Sequence, residues 1–162
     1  MAKAREIPGL GPDIPLREAA ARTIQVRTSE VFTYAHGVLD TSDIERVHDM
    51  RVATRRLRAA LEVYSVCFPA DEWGDALRDV KRLADALGAR RDPDVALETI
   101  EEIAKHLPER ARAGVDLFES DLRAEQTTGN AELARVLAET IESQLEARLL
   151  ELAAAAQEGV PA

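Results

Sequence analysis

The sequence has little of what disulfides, sheets or membrane spans require. Cys67 is the only cysteine, so no disulfide can form within the chain. Aromatic residues make up 4% of the 162 residues, and consecutive β-branched residues are scarce, which disfavours a sheet. No apolar run approaches the roughly 20 residues that a membrane-crossing helix needs. The N-terminus also lacks the pattern of a secretion signal, and we therefore expect a cytoplasmic protein without a membrane span.

The residues that are abundant favour helices. Ala, Leu, Glu and Arg dominate, while Gly and Pro number only 8 and 7. The length suits one domain, and a hydrophobic content of 46% is enough for one helical core. We predict an all-α fold, an antiparallel bundle of about five or six helices. Residues 1–12 are predicted to form an irregular arm because two prolines and two glycines fall within a short span, and residues 13–158 are predicted to form one domain.

Helix boundaries are predicted from start and stop signals. Ser42 followed by Glu45 fits a capping box, in which each side chain satisfies a free backbone amide. Gly88 fits a helix end, and Asp92 followed by Pro93 fits a new start. The run from Thr127 to Asn130 is predicted to break a later helix. Six helices result, over residues 13–37, 42–66, 71–88, 92–106, 108–126 and 131–157.

Charge is distributed unevenly along the chain. The net charge is −9, but residues 92–162 hold 16 acidic and 6 basic residues, whereas residues 41–91 hold 9 and 10. The central segment is therefore arginine-rich despite the negative total, and the average conceals a candidate basic site.

The second predicted helix places a row of cations on one face. At about 100° per residue, His48, Arg51, Arg55 and Arg58 fall within roughly 80° of arc. Arg56 lies between this face and the apolar face. A guanidinium donates two parallel hydrogen bonds to a phosphate, so successive turns could follow a linear phosphate polymer. Protonation of an imidazole below about pH 6.5 should strengthen such binding.

A second group of cations follows on the next helix and its turn. Asp85 can pair with Lys81 or Arg82 at helical spacing, and such a pair makes either cation a weaker candidate for ligand binding. Asp92 fits a helix cap better than an acid catalyst. The cations of this group are Arg78, Lys81, Arg82, Arg90 and Arg91.

Two segments, HDMRVATRRLRAAL and LRDVKRLADALGARRDPDV, resemble the CHAD family, the conserved histidine α-helical domain. The resemblance covers roughly residues 15 to 105. It implies a helical bundle that binds inorganic polyphosphate through a basic surface, without catalysis or a cofactor, and that associates with polyphosphate granules. The implied binding residues are His48, Arg51, Arg55, Arg56, Arg58, Lys81 and Arg91, with weaker claims for Arg82 and Arg90.

The sequence departs from the family pattern in length. CHAD members usually hold two related halves that share one groove, whereas only one HxxR segment occurs here. A homodimer that completes the groove is therefore a hypothesis.

Other functions stay open. Arginine rows also bind nucleic-acid backbones, but few aromatics are available for base stacking and the net charge is negative, so we expect no nucleic acid partner. An enzyme acting on phosphoanhydrides would need clustered carboxylates for Mg²⁺, and none stand out, so we expect no enzyme. His36, His48 and His106 are too far apart in sequence to indicate a metal site. Finally, the arginines could pair only with acids of the same bundle, in a helical scaffold.

Overall fold

The computed structural model describes residues 3–158, and these residues contain five α-helices and no strand. The helices are α1 (Leu16–Ala35), α2 (Ile44–Val63), α3 (Ala70–Ala104), α4 (Arg112–Glu142) and α5 (Leu145–Glu158). The prediction of an all-α bundle is confirmed. Within residues 3–158, every helix is either too short or too polar to span a lipid bilayer.

The helices pack in a definite order around one core. α2 lies between α1 and α3, α4 packs along α3, and α5 returns to α1 while also touching α3 and α4. Four helices form the centre of this core, and each contributes a fully buried side chain: Ile24 of α1, Met50 of α2, Leu83 of α3 and Leu149 of α5. At about 1.5 Å per residue, α3 is roughly 50 Å long and α1 and α2 are roughly 30 Å. The hairpin of α3 and α4 therefore extends beyond the other helices.

Residues 3–15 form no helix and are held against α1. The backbone amide of Arg5 donates to Oε1 of Glu30 at 2.6 Å, and Nη1 of Arg27 donates to Oε2 at 2.7 Å. Because Glu30 is fully buried, it needs these donors to offset its desolvation. Arg22 also donates to the carbonyl of Pro8 at 2.9 Å. The arm is thus part of the packed structure.

The predicted helix end at Gly88 and restart at Asp92 and Pro93 are wrong. α3 continues through all three residues, although Pro93 supplies no amide for the carbonyl of Ala89. Arg90 and Asp94 form a fully buried ion pair across the proline at the i,i+4 spacing that makes side chains neighbours on a helix. Tertiary packing along α4 therefore overrides the local stop signals.

The predicted break from Thr127 to Asn130 is also wrong, because α4 continues through this segment and packs closely against α3 there. A Cβ on Gly129 would lie 3.0 Å from the carbonyl oxygen of Ala89 and 3.1 Å from Cα of Arg90. Glycine here permits contact between the two backbones. α4 runs through this segment without a break, and the hydroxyl of Thr127 is satisfied within the helix by the carbonyl of Arg123 at 2.9 Å.

The turn between the last two helices carries no glycine or proline. Gln144 adopts φ 52° between α4 and α5, in the left-handed region that a non-glycine residue enters at a cost. The sequence gives no signal for this turn, so it was not predicted.

The predicted capping box at the start of α2 is wrong as well. The amide and hydroxyl of Ser42 both donate to Oδ1 of Asp40, at 2.9 and 2.7 Å. These bonds lower the pKa of Asp40. α2 begins only at Ile44, and Asp43 precedes it without a side-chain capping bond. Ser42 stabilises the preceding turn instead of the helix.

Candidate functional site

α2 has one buried face and one face directed away from the core. The buried residues recur at helical spacing and fix the rotation of the helix: Val47, Met50, Ala53, Thr54, Leu57, Ala60 and Leu61. On the other face, His48 and Arg51 are half-buried, Arg55 is exposed, and the Arg58 side chain is 42% exposed. The structure therefore brings these four predicted residues together on successive turns.

Arg51 and Arg55 have no carboxylate partner within residues 3–158. Neither forms an ion pair or a side-chain hydrogen bond there, and the same holds for His48. Four residues apart, the two arginines lie about 6 Å apart along the helix axis. Their guanidinium groups are available to an external anion.

Arg58 is joined to α3 through a carboxylate. Its Nε donates to Oε1 of Glu62 at 3.0 Å, and Nζ of Lys81 lies 3.5 Å from the same oxygen. The hydrogen bond from Arg58, together with the charges of Arg58 and Lys81, lowers the pKa of Glu62, although partial desolvation opposes the shift. Lys81 thereby joins the α2 face. We call His48, Arg51, Arg55, Arg58 and Lys81 the cationic row.

Arg56 faces the other side of α2. It is half-buried, and it lines a shallow depression with Thr23 and Arg27 of α1 and with Ile7 of the N-terminal arm. Its position agrees with its place between the two helix faces. Arg56 is therefore not part of the cationic row.

Arg82 points towards α4, and it forms an ion pair there with Glu139. Glu139 also accepts a hydrogen bond from Arg135 on its own helix. Arg82 is thus engaged on the side of α3 that faces the acidic C-terminal helices. It is separated from the cationic row.

Arg90 and Arg91 are largely removed from solvent. Arg90 has 0% exposure, pairs with Asp94 and donates from Nε to Asn130 at 3.1 Å. Arg91 is 9% exposed and lies 3.9 Å from Asp94 and 3.8 Å from Glu98. Arg90 is a core residue without surface for a ligand, and Arg91 is engaged by acids. Neither Arg90 nor Arg91 belongs to the cationic row.

The acidic residues of segment 92–162 therefore form ion pairs with some of the candidate cations and not with others. Arg82, Arg90 and Arg91 pair with carboxylates from that segment, whereas Arg58 and Lys81 share Glu62 of α2. α4 and α5 pack mainly against α3, α1 and each other. The outward face of α2 is left uncovered by the acidic helices.

A family model for the CHAD domain matches residues 22–162. The chain belongs to the CHAD family. This family is related to polyphosphate and triphosphate binding. No curated protein matched the chain.

The CHAD match extends beyond the two segments that first indicated it. It includes all of α2 to α5 and most of α1, so the acidic helices α4 and α5 belong to the same CHAD domain. The cationic row lies entirely within the match.

The other reactive side chains of this CHAD domain do not form a second centre. In the part of the chain that the structure describes, no three His, Cys, Asp or Glu side chains are grouped to hold a metal ion. Cys67 is 2% exposed, and burial raises the pKa of its thiol, so little thiolate forms at neutral pH.

Two features of the site were not predicted. The contact of Glu62 with Lys81 depends on the distance between two helices, which residue spacing within α2 cannot give. The buried contacts of Arg90 with Asp94 and Asn130 were also missed, because consecutive arginines look alike in a sequence. Their only signal was the i,i+4 spacing of Arg90 and Asp94.

Proposed function

We propose that the cationic row binds inorganic polyphosphate without catalysing its breakdown. The observation that carries this proposal is that Arg51 and Arg55 stand on successive turns without a carboxylate partner in residues 3–158. Each guanidinium stays charged at physiological pH and donates paired hydrogen bonds to phosphate oxygens. A linear polyanion satisfies several such groups at once.

The arrangement favours an extended ligand over a compact one. From His48 to Arg58 the row spans ten residues, or about 15 Å of helix axis. The Arg58 and Lys81 side chains are 42% and 43% exposed and Arg55 is exposed, so the ligand lies along an open surface. Each further phosphate of a longer chain finds another cation, so affinity rises with polymer length until the row is filled.

A nucleic-acid backbone is the competing ligand of similar charge. The net charge of −9 opposes long duplexes that extend past the row. Five of the six aromatic side chains belong to the hydrophobic core or pack against it: Phe32, Tyr34, Tyr64, Phe68 and Trp73. The sixth, Phe118, is exposed on α4, so the arginines of α2 have no surface of exposed aromatic rings beside them for base stacking. Polyphosphate is the better fit because it needs only phosphate contacts.

Titration of the purified protein with polyphosphates of graded length, at several salt concentrations, tests this function. We expect affinity to rise with length and to fall with salt, because binding releases counterions. Competition with single-stranded RNA at fixed salt is the control. Equal affinity per phosphate for RNA and polyphosphate would contradict the proposed specificity.

Granule association and homodimerisation stay predictions. A second copy would lengthen the cationic surface if the two rows were aligned, and sedimentation with and without polyphosphate tests this. A monomer that binds polyphosphate with full affinity would count against the dimer.

A further inference from the structure

One carboxylate interrupts the cationic row. Oε1 of Glu62 contacts Nε of Arg58 at 3.0 Å and Nζ of Lys81 at 3.5 Å. The Glu62 side chain is 44% exposed, and those of Arg58 and Lys81 are 42% and 43% exposed. The contact is therefore at the surface, where side chains can exchange partners with a dissolved anion.

The row accordingly has two parts. In the open part, His48, Arg51 and Arg55 have no carboxylate partner among residues 3–158. In the closed part, Arg58 and Lys81 are already held by Glu62. The Glu62 oxygen occupies the position that a phosphate oxygen needs in order to bridge the same guanidinium and ammonium groups.

The placement of Glu62 is poor for helix stability. It lies in the last turn of α2, where the helix dipole disfavours a negative charge. Arg58 precedes Glu62 by four residues, and this order is less favourable than glutamate followed by a cation. A surface pair of this kind contributes little to folding. The position of Glu62 is therefore better explained by its effect on the charge of the cationic row than by a contribution to helix stability.

Building on the proposed function, we infer that Glu62 is a built-in competitor that regulates polyphosphate binding by occupying Arg58 and Lys81. A short anion binds the open part and leaves Glu62 in place. A long chain reaches the closed part and displaces the carboxylate, which swings into solvent while phosphate oxygens take over both cations. Glu62 thus weakens the binding of anions that compete for Arg58 and Lys81.

The carboxylate remains charged under the conditions in which it would compete. Its contacts with the two cations lower the pKa of Glu62, so it is anionic at neutral and mildly acidic pH.

Glu62→Gln removes the competing charge and keeps the side-chain size. Glu146→Gln is the matched control, because Glu146 is exposed in the first turn of α5 and its loss changes the net charge equally. We expect Glu62→Gln to bind long polyphosphate about two- to fivefold more tightly than Glu146→Gln, a gain that corresponds to loss of one surface ion-pair competitor. Thermal unfolding of both variants is recorded alongside, and Glu146→Gln should be the less stable of the two, because the helix dipole favours a negative charge in the first turn of α5 and disfavours one in the last turn of α2.

The same comparison in a variant that lacks both cations shows whether the gain in polyphosphate affinity depends on Arg58 and Lys81. In a protein carrying Arg58→Ala and Lys81→Ala, Glu62 has nothing to occupy, so Glu62→Gln should have the same effect as Glu146→Gln. The inference is overturned if Glu62→Gln binds no tighter than Glu146→Gln, or if its advantage persists in this background.

Failure of the proposed function has a different signature. If Arg51→Ala plus Arg55→Ala leaves polyphosphate affinity unchanged, the row is not the binding site, whatever Glu62→Gln does. If that double variant loses affinity while Glu62→Gln and Glu146→Gln behave alike, the function stands and only the role of Glu62 is rejected.

Discussion

Lys81 and Arg82 are consecutive residues of α3 that contact different neighbouring helices. Nζ of Lys81 lies 3.5 Å from Glu62 on α2, whereas Arg82 pairs with Glu139 on α4. Two adjacent cations therefore have different surroundings: one joins the cationic row, and the other neutralises an acid of the C-terminal helices.

This separation predicts unequal effects of two similar substitutions. Lys81→Ala should weaken the binding of long polyphosphate about three- to tenfold, because it removes a cation from the row. Arg82→Ala should change the affinity less than about twofold, since its guanidinium is directed towards α4. Isothermal titration with one polyphosphate preparation compares them. A larger loss in Arg82→Ala would show that the ligand follows the α4 side of α3.

His48 should make binding dependent on pH. An anionic ligand favours the protonated form of an imidazole, so affinity should increase as the pH is lowered from about 7.5 to about 5.5. Glu62 does not contribute here, because its pKa is lowered and it stays ionised over this range. His48→Gln should lose the part of the increase that the imidazole causes.

The control for that measurement is His106→Gln. His106 is exposed beyond the end of α3, and its Nδ1 lies 3.2 Å from the carbonyl of Glu102. This variant should keep the pH dependence of the wild type. The same slope in wild type and His48→Gln would exclude His48 from the site.

Removal of one partner from the buried pair of Arg90 and Asp94 should strongly destabilise the α3–α4 hairpin. Arg90→Ala leaves Asp94 buried without its main partner, which should lower the free energy of unfolding by about 3–5 kcal/mol. Arg78→Ala breaks an exposed pair with Asp75 and should cost less than about 1 kcal/mol. Urea unfolding measures both, and equal losses would mean that burial of the pair is unimportant.

Gly129 and Gly114 should respond oppositely to alanine, although both lie within α4. At Gly129 the added Cβ would meet the backbone of Ala89 and Arg90, so the helices must separate, at about 1–3 kcal/mol. At Gly114 nothing lies within 4 Å, and alanine should stabilise the helix by about 0.5–1 kcal/mol. Thermal unfolding of the two variants checks this. Stabilisation by Gly129→Ala would contradict the close helix contact.

The sequence was sufficient where local periodicity decides the outcome. The helical class follows from composition, and the common face of His48, Arg51, Arg55 and Arg58 follows from 3.6 residues per turn. Packing of Met50 and Leu57 on the opposite side then fixes that face outwards.

The sequence was insufficient where distant residues decide the outcome. Gly88 and Pro93 carry ordinary stop signals, yet contacts of α3 with α4 keep the helix continuous. For the same reason, the surroundings of Lys81, Arg82 and Arg90 could not be told apart. Each depends on which helix packs beside that residue, and a single sequence does not contain this information.

The central claim is that the uncompensated arginines of α2 hold the phosphate chain. The most direct measurement is the polyphosphate affinity of Arg51→Ala plus Arg55→Ala, compared with Arg110→Ala plus Arg112→Ala. The second pair removes the same charge from exposed residues at the far end of the α3–α4 hairpin. We predict at least about a tenfold loss for the first pair, from lost charge-assisted hydrogen bonds, and less than about a threefold loss for the second. Equal losses in the two variants would contradict the account.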